Sequence, residues 1–323
     1  MIANSGEYRK KNGQRGYVMM NNFIFENKAK VYFGKGGVKE YLGGLLANFG
    51  ETVMLAYGGG SIKRNGVYDE IMSILNAQGK CVVEFSGIMS NPTYAKVQDG
   101  AKLARENHVD LILAAGGGSV SDRCKVISGA FDTLSHAMEA YFGKPDENNL
   151  SDDTNEAVMR SVIRNIRILL TDPENYDARS ELAQASAMAE NGVLKIGKVT
   201  DFQAHQIEHQ LGAYTNCNHG AGLAVIYPVL YRHIYKSGTA RFTRWAQNVW
   251  GIAPKGSDEE TAAAGIDALA AFIKEIGLPT SFAELGIPAD TDFRAVADST
   301  NITAGCCKKL TRDEICEILQ ECL

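Results

Sequence analysis

Two apolar stretches of this chain end in the same tetrapeptide, and that repetition narrows the fold more than any other feature. Thr52-Val53-Met54-Leu55-Ala56-Tyr57 runs into Gly58-Gly59-Gly60-Ser61, and Val109-Asp110-Leu111-Ile112-Leu113-Ala114 leads into Gly116-Gly117-Gly118-Ser119. A short apolar run closed by glycine reads as a buried parallel strand. Helical patterns over 67–77 and 94–107 and a further strand, Lys80 to Phe85, lie between the two turns. The series strand, helix, strand, helix, strand predicts a doubly wound sheet. Glycine lets backbone come close to an anion, and a helix N-terminus adds amide donors and a positive dipole end. Two such turns at the carboxyl ends of parallel strands predict a dinucleotide site; read as bare turns, they predict nothing more than sharp corners.

The first turn also bears on the nucleotide. A site for NAD sets an acid against the ribose 2′-hydroxyl. Here the strand end carries Tyr57 and glycine, followed by Ser61, Lys63 and Arg64. A hydroxyl, free amides and cations suit a 2′-phosphate, so NADP(H) is favoured over NAD(H). Upstream, Phe23 and Phe25 alternate as a strand, Lys30 to Gly34 reads as another, and Gly36-Gly37 opens a helix through Leu46. Residues 1–20 are polar and basic with no apolar core, so they are no secretory signal; a disordered tail or an overlong start is expected.

From Ser128 onward helical periodicity takes over, over about 130–142, 151–170, 176–194, 196–211, 221–236, 240–250, 258–276 and 311–321. Thr311-Arg312-Asp313-Glu314 is a capping-box start. The stretch TDFQAHQIEHQLGAYTNCNH holds three of the six histidines, His205, His209 and His219. His205 and His209 share a helix face, Gly212 reads as the left-handed cap, and a loop leads to His219. Asp132 and His136 form a second pair four residues apart. Two helical pairs and a loop imidazole outline a metal cage, though a lone pair at this spacing is often incidental. HQIEH also matches the inverted zinc-protease pattern, with His205 and His209 as ligands and Glu208 as base. That reading leaves both glycine turns without a role.

The net charge of −5 speaks against non-specific nucleic-acid binding, and no apolar run has membrane-spanning length. Seven scattered cysteines without C-x-x-C read as the reduced thiols of a cytoplasmic protein.

GGGSVSD, FDTLSHAMEAYF, TDFQAHQIEHQLGAYTNCNHGAGLAV and LTRDEICEIL together resemble the iron-containing alcohol dehydrogenases. YGGGSIKRNGVYDE is similar to their butanol dehydrogenase-like, NADPH-using aldehyde reductase branch. The resemblance covers nearly all of 21–323. It implies an α/β N-terminal Rossmann-like domain over 21–127, an all-α C-terminal metal-binding domain over 128–323, and a site in the cleft between them. It puts Fe²⁺ or Zn²⁺ on Asp132, His136, His205 and His219, and sets His209 beside the nicotinamide as a proton relay. It assigns Gly116, Gly117, Gly118 and Ser119 to the pyrophosphate, Gly59 and Ser61 to the 2′-phosphate, and Asp122 to the nicotinamide side. A short-chain alcohol or aldehyde is the implied substrate, and a homodimer is expected.

One departure is large. In that family more strands follow the second glycine turn, one carrying a Thr-Gly-Thr-Gly-Ser-Glu-like loop on the cofactor. Here Asp122-Arg123-Cys124-Lys125-Val126-Ile127 runs straight into Ser128-Gly129-Ala130-Phe131-Asp132. At about 30 residues per strand–helix–strand unit, roughly 60–100 residues are missing, so the parallel sheet is truncated. Two readings follow: an alcohol dehydrogenase using NADP(H) and a metal, or an internally deleted, catalytically impaired relative that keeps the metal-binding helices.

Overall fold

The computed structural model of the chain describes residues 20–89, 91–116, 123–146, 148–302 and 307–323. They form two compact units, Lys28–Val126 and Ile127–Leu323, the latter joined by the residues up to Asn27.

The first unit runs α1 (Gly37–Leu46), β1 (Thr52–Tyr57), α2 (Ser61–Arg64), α3 (Val67–Ala77), β2 (Cys81–Phe85), α4 (Tyr94–Glu106) and β3 (Leu111–Ala115). The strands are parallel in the order β2-β1-β3, with Leu55 opposite both Glu84 and Leu113. β1 is central, which explains its unbroken apolar run: all of it after Thr52 is buried. Val53, Leu55, Leu46, Ile62, Ile71 and Leu75 form the core; each such side chain contributes about 1.5–3 kcal/mol when fully buried. The chain crosses from one side of β1 to the other between β2 and β3. That is a topological switch point, where parallel sheets bind ligands at their carboxyl ends.

The two strands expected at Phe23–Phe25 and Lys30–Gly34 are not formed. Alternation alone does not make a strand; it forms only when the segment pairs with a neighbour. Instead the Asn21 amide donates to the Gly197 carbonyl (3.0 Å), and Phe23 and Phe25 stay exposed.

The helical unit contains α5 (Arg123–Tyr141), α6 (Leu150–Thr171), α7 (Tyr176–Glu190), α8 (Gln203–Thr215), α9 (His219–Ile234), α10 (Thr239–Asn248), α11 (Asp258–Glu275), α12 (Phe293–Ser299) and α13 (Arg312–Glu321). The junction Ile127–Ser128 lies inside α5, so the helix after the second glycine turn continues without a break into FDTLSHAMEAYF. The segment ahead of α8, expected as helix from 196, is a turn followed by an isolated β-bridge. Lys144 and Val199 exchange both backbone hydrogen bonds, at 2.8 and 2.7 Å. Lys198 is drawn inside, where its ammonium donates to Asp152 Oδ1 (2.6 Å) and to the Tyr141 carbonyl (3.2 Å). Arg241 meets the same carboxylate at 2.8 Å. A carboxylate this deep is stable because both cations satisfy it.

α8 also ends later than expected. It passes through Gly212 to Thr215, and Asn216 takes the left-handed conformation (φ 55°). Gly212 sits within the helix beside Glu208, where a Cβ would make ordinary contact with Oε1 at 3.5 Å. α12 shows no signal in the sequence, since seven residues span too few turns to show a period. The capping box is present: the Thr311 side chain accepts from the Glu314 amide, and Glu314 accepts from the Thr311 amide. Thr311→Ala is therefore expected to cost about 1 kcal/mol, seen as a fall in Tm of a few degrees with helix content at 25 °C unchanged.

Candidate functional site

Three helices of the second unit bring the metal-type residues together. α5 carries Asp132 and His136, α8 carries His205 and His209, and α9 begins at His219. His219 is thus the first residue of a helix and not a loop residue. Asn218 caps α9 by accepting from the Ala221 amide (3.0 Å), which fixes the His219 backbone. Gly220 lets α9 close on α5, since a Cβ there would lie 2.2 Å from the Ser128 carbonyl oxygen.

Asp132, His205 and His219 each offer one ligand atom, all within 4.8 Å of one another. Asp132 Oδ1 lies 3.4 Å from His205 Nε2 and 3.4 Å from His219 Nε2. His136 stands beside this trio without joining it: its Nε2 is 3.7 Å from Asp132 Oδ1 and 2.8 Å from Glu190 Oε1, and its ring centre is 4.3 Å from that of His205. His205 is 2% exposed, whereas the Asp132 and His219 side chains are 30% and 31% exposed, so an ion can reach the trio from one side. His209 is on that open side, stacked on His219 at 5.3 Å.

Two carboxylates hold the imidazoles from behind; the sequence pointed to Glu208 only as a protease base and to Glu139 not at all. Glu139 is buried; Oε2 meets His205 Nδ1 at 2.6 Å, and Oε1 accepts from the amides of Ala204 (2.9 Å) and His205 (3.3 Å). Glu208, also buried, hydrogen-bonds His219 Nδ1 and accepts from Cys217 Sγ (3.7 Å). Gly222 admits it, because a Cβ there would lie 2.9 Å from Glu208 Oε1. Held by His219, Glu208 does not serve as the free base of the protease pattern. The available signal for Glu139 was its place three residues after His136 in an otherwise apolar helix face.

The electrostatics are those of a site that wants a cation. Burial disfavours the Asp132 charge, yet hydrogen bonds from His205 and His219 hold its carboxyl well below the usual range. Burial opposes the charged form of His205 too, but Glu139 and Asp132 raise it to about 9. His219 is raised to about 10 against its burial by Asp132 and Glu208. His136 goes the other way, to about 4, through burial and the His205 charge. His209 is lowered by burial, His219 and His205. The donor set fits a divalent ion: two imidazole nitrogens and a carboxylate converge, and buried His205 Nε2 meets only the Asp132 carboxylate, at 3.4 Å.

In the first unit the carboxyl ends of the three strands surround a cavity of about 740 Å³. Gly58, Gly59 and Ser61 line it from the first turn, Gly87 and Ile88 from beyond β2, and Gly116 and Lys125 from the second turn and α5. Gly60 is left-handed (φ 90°), a conformation that favours glycine. Gly117, Gly118, Ser119 and Asp122 lie outside the described residues. An acid does stand at this end of the sheet, though it comes from β2. Glu84 accepts from Tyr57 (2.5 Å) and Tyr68 (2.7 Å) and lies 3.4 Å from Lys63 Nζ; the three donors hold its carboxyl below the usual range.

Comparison with known proteins bears on both sites. The family described as iron-containing alcohol dehydrogenase matches residues 28–159, and the C-terminal region of the Fe-containing alcohol dehydrogenase family matches 126–323. The probable NADH-dependent butanol dehydrogenase 2 of Bacillus subtilis is 30% identical over 392 positions, covering 94% of this chain and all of that protein. The NADPH-dependent aldehyde reductase YqhD of Escherichia coli is 26% identical, covering 83% and 90%. The crystal structure of an NADH-dependent butanol dehydrogenase A from Thermotoga maritima superposes with a TM-score of 0.86 at 24% identity, covering 94% and 99%, which shows a shared fold. A chain of 323 residues aligned over 392 positions necessarily faces internal gaps.

Proposed function

The chain belongs to the iron-containing alcohol dehydrogenase family, and from that premise we propose that it is a metal-dependent alcohol dehydrogenase or aldehyde reductase for short-chain substrates, using NADP(H). The observation that carries this reading is the convergence of Asp132, His205 and His219, with His136 one helical turn from Asp132 and adjacent to His205. Asp132, His205 and His219 would hold the divalent ion, with His136 as fourth ligand once its ring turns from Glu190. When bound, the ion supplies Lewis-acid polarisation of the alcohol or aldehyde oxygen, and the nicotinamide supplies the hydride. Asp132 offsets part of the ion's charge and keeps the site open on its exposed side. His205 and His219 direct their Nε2 atoms inward. His209 accepts or returns the hydroxyl proton at a ring nitrogen, directly or through water. Gly59, Ser61 and Gly116 bring backbone close to the nucleotide phosphates.

NADP(H) is the favoured cofactor because Glu84 has one oxygen engaged by Tyr57 and the other by Tyr68, so it is not free for a ribose hydroxyl. The Ser61 hydroxyl and the Lys63 ammonium suit a 2′-phosphate instead. Charge-assisted hydrogen bonds of this kind contribute about 1–3 kcal/mol, so NADPH is expected to bind roughly 5- to 150-fold more tightly than NADH. Fluorescence titration of both nucleotides tests this. Equal affinities, or tighter NADH, would assign Glu84 to the ribose and overturn the choice.

A further inference from the structure

Each inward-facing imidazole of the trio has a buried carboxylate on its other nitrogen, and the two carboxylates come from different helices. Glu139 on α5 holds His205 on α8, and Glu208 on α8 holds His219 on α9. A carboxylate accepts only, so each Nδ1 keeps its proton, and when an ion displaces the other proton the lone pair is left on Nε2. Both Nε2 atoms then face Asp132 Oδ1, at 3.4 Å each. His205 Nε2 is buried and has Asp132 Oδ1 as its one polar neighbour, the other nitrogen being held by Glu139.

We infer that Glu139 and Glu208 are positioning residues that set the tautomer and the ring orientation of the two metal-binding histidines. The inference rests on the metal reading above and adds to it which residues make the nitrogens competent to bind. Glu139 also acts on the backbone. The N-cap of α8 is Phe202, with no side-chain cap, and Glu139 Oε1 supplies the missing acceptor to the Ala204 and His205 amides. The start of the helix and the state of its first histidine therefore depend on one side chain. Glu208 is tied to local packing in a similar way, through Gly222 and Cys217.

The two roles of Glu139 separate in a glutamine variant. In Glu139→Gln the amide oxygen can still accept from the α8 amides, but the amide nitrogen, facing His205 Nδ1, can only donate. That drives the imidazole proton to Nε2 and removes its lone pair from the site. Glu208→Gln does the same to His219. Loss of such outer partners typically weakens metal binding about 10- to 100-fold. The test is Co²⁺ titration of the full chain and its variants, following the ligand-field absorption of bound Co²⁺ and the chelator concentration that strips it, with circular dichroism and Tm alongside. The expected result is near-native helix content and Tm in both glutamine variants, with Co²⁺ affinity lowered about 10- to 100-fold and an altered absorption band. The aspartate variants should fall between, since they keep the acceptor character at a longer reach. Wild-type affinity and spectrum in both glutamine variants, with Asp132→Asn binding poorly, would overturn the positioning role while leaving the metal site in place. No Co²⁺ bound by the wild-type chain would overturn both.

Discussion

His205→Ala protein, purified and dialysed, is expected to retain little bound metal, and Asp132→Asn the same. Structural zinc sites are held by roughly 10–16 kcal/mol, so one ligand of four accounts for about 3–4 kcal/mol, or roughly 100- to 1,000-fold in affinity. Asp132→Asn is the cleaner variant. It is isosteric at a side chain that is 30% exposed, and it removes the negative charge that both Nε2 atoms face. His205→Ala also opens a hole beside Glu139, leaving a buried carboxylate with one partner fewer. His209→Ala should keep near-wild-type metal content, because His209 lies on the exposed side of His219 and outside the trio. The protease pattern demands the reverse for His209. Metal analysis of the three variants by atomic emission decides, and a metal-free His209→Ala protein would show that the wrong imidazole was assigned to the relay.

The sequence was most informative where one physical pattern dominated. β1 is buried along nearly its whole length, so its apolar run had one reading, and the glycines after it mark the turn at the sheet's carboxyl edge. The histidine spacing likewise exposed the helical pairs. What stayed hidden depended on tertiary partners. Phe23 and Phe25 alternate like a strand, but the stretch is tied through Asn21 to Gly197, far along the chain. Gly212 looked like a helix stop, yet the helix runs on to Thr215 and the left-handed residue is Asn216. Glu139 is one acid in an apolar helix, and only the approach of α8 gives it a histidine and two amides to hold. Glu84 is far in sequence from Lys63 and Tyr57, and only the parallel pairing of β1 with β2 brings it to them.

The full 323-residue chain is expected to bind metal and yet to turn over aldehydes poorly, because its sheet stops early. β3 follows the second crossover and has β1 as its sole sheet neighbour among the described residues, with Ile112 61% exposed. In a doubly wound sheet the strand beyond the switch point pairs with another strand and is covered. An open edge of this kind offers unpaired amides and carbonyls to a second molecule and invites association. The segment absent between Ile127 and Ser128 also takes with it the Thr-Gly-Thr-Gly-Ser-Glu-like loop expected to touch the cofactor. Losing two hydrogen bonds, one of them charged, costs about 2–4 kcal/mol, which is roughly 30- to 1,000-fold in NADPH affinity. The metal trio depends on α5, α8 and α9, all of which are present, so metal binding should survive. The assay is the chain loaded with Fe²⁺ or Zn²⁺, NADPH and a panel of short-chain aldehydes, run beside light scattering on the same preparation. Stoichiometric metal, NADPH bound weakly or not at all, slow turnover and concentration-dependent association are the expected set. Turnover on the order of tens per second, typical of an ordinary enzyme, from a monodisperse preparation would show that the three-stranded sheet suffices to hold the cofactor.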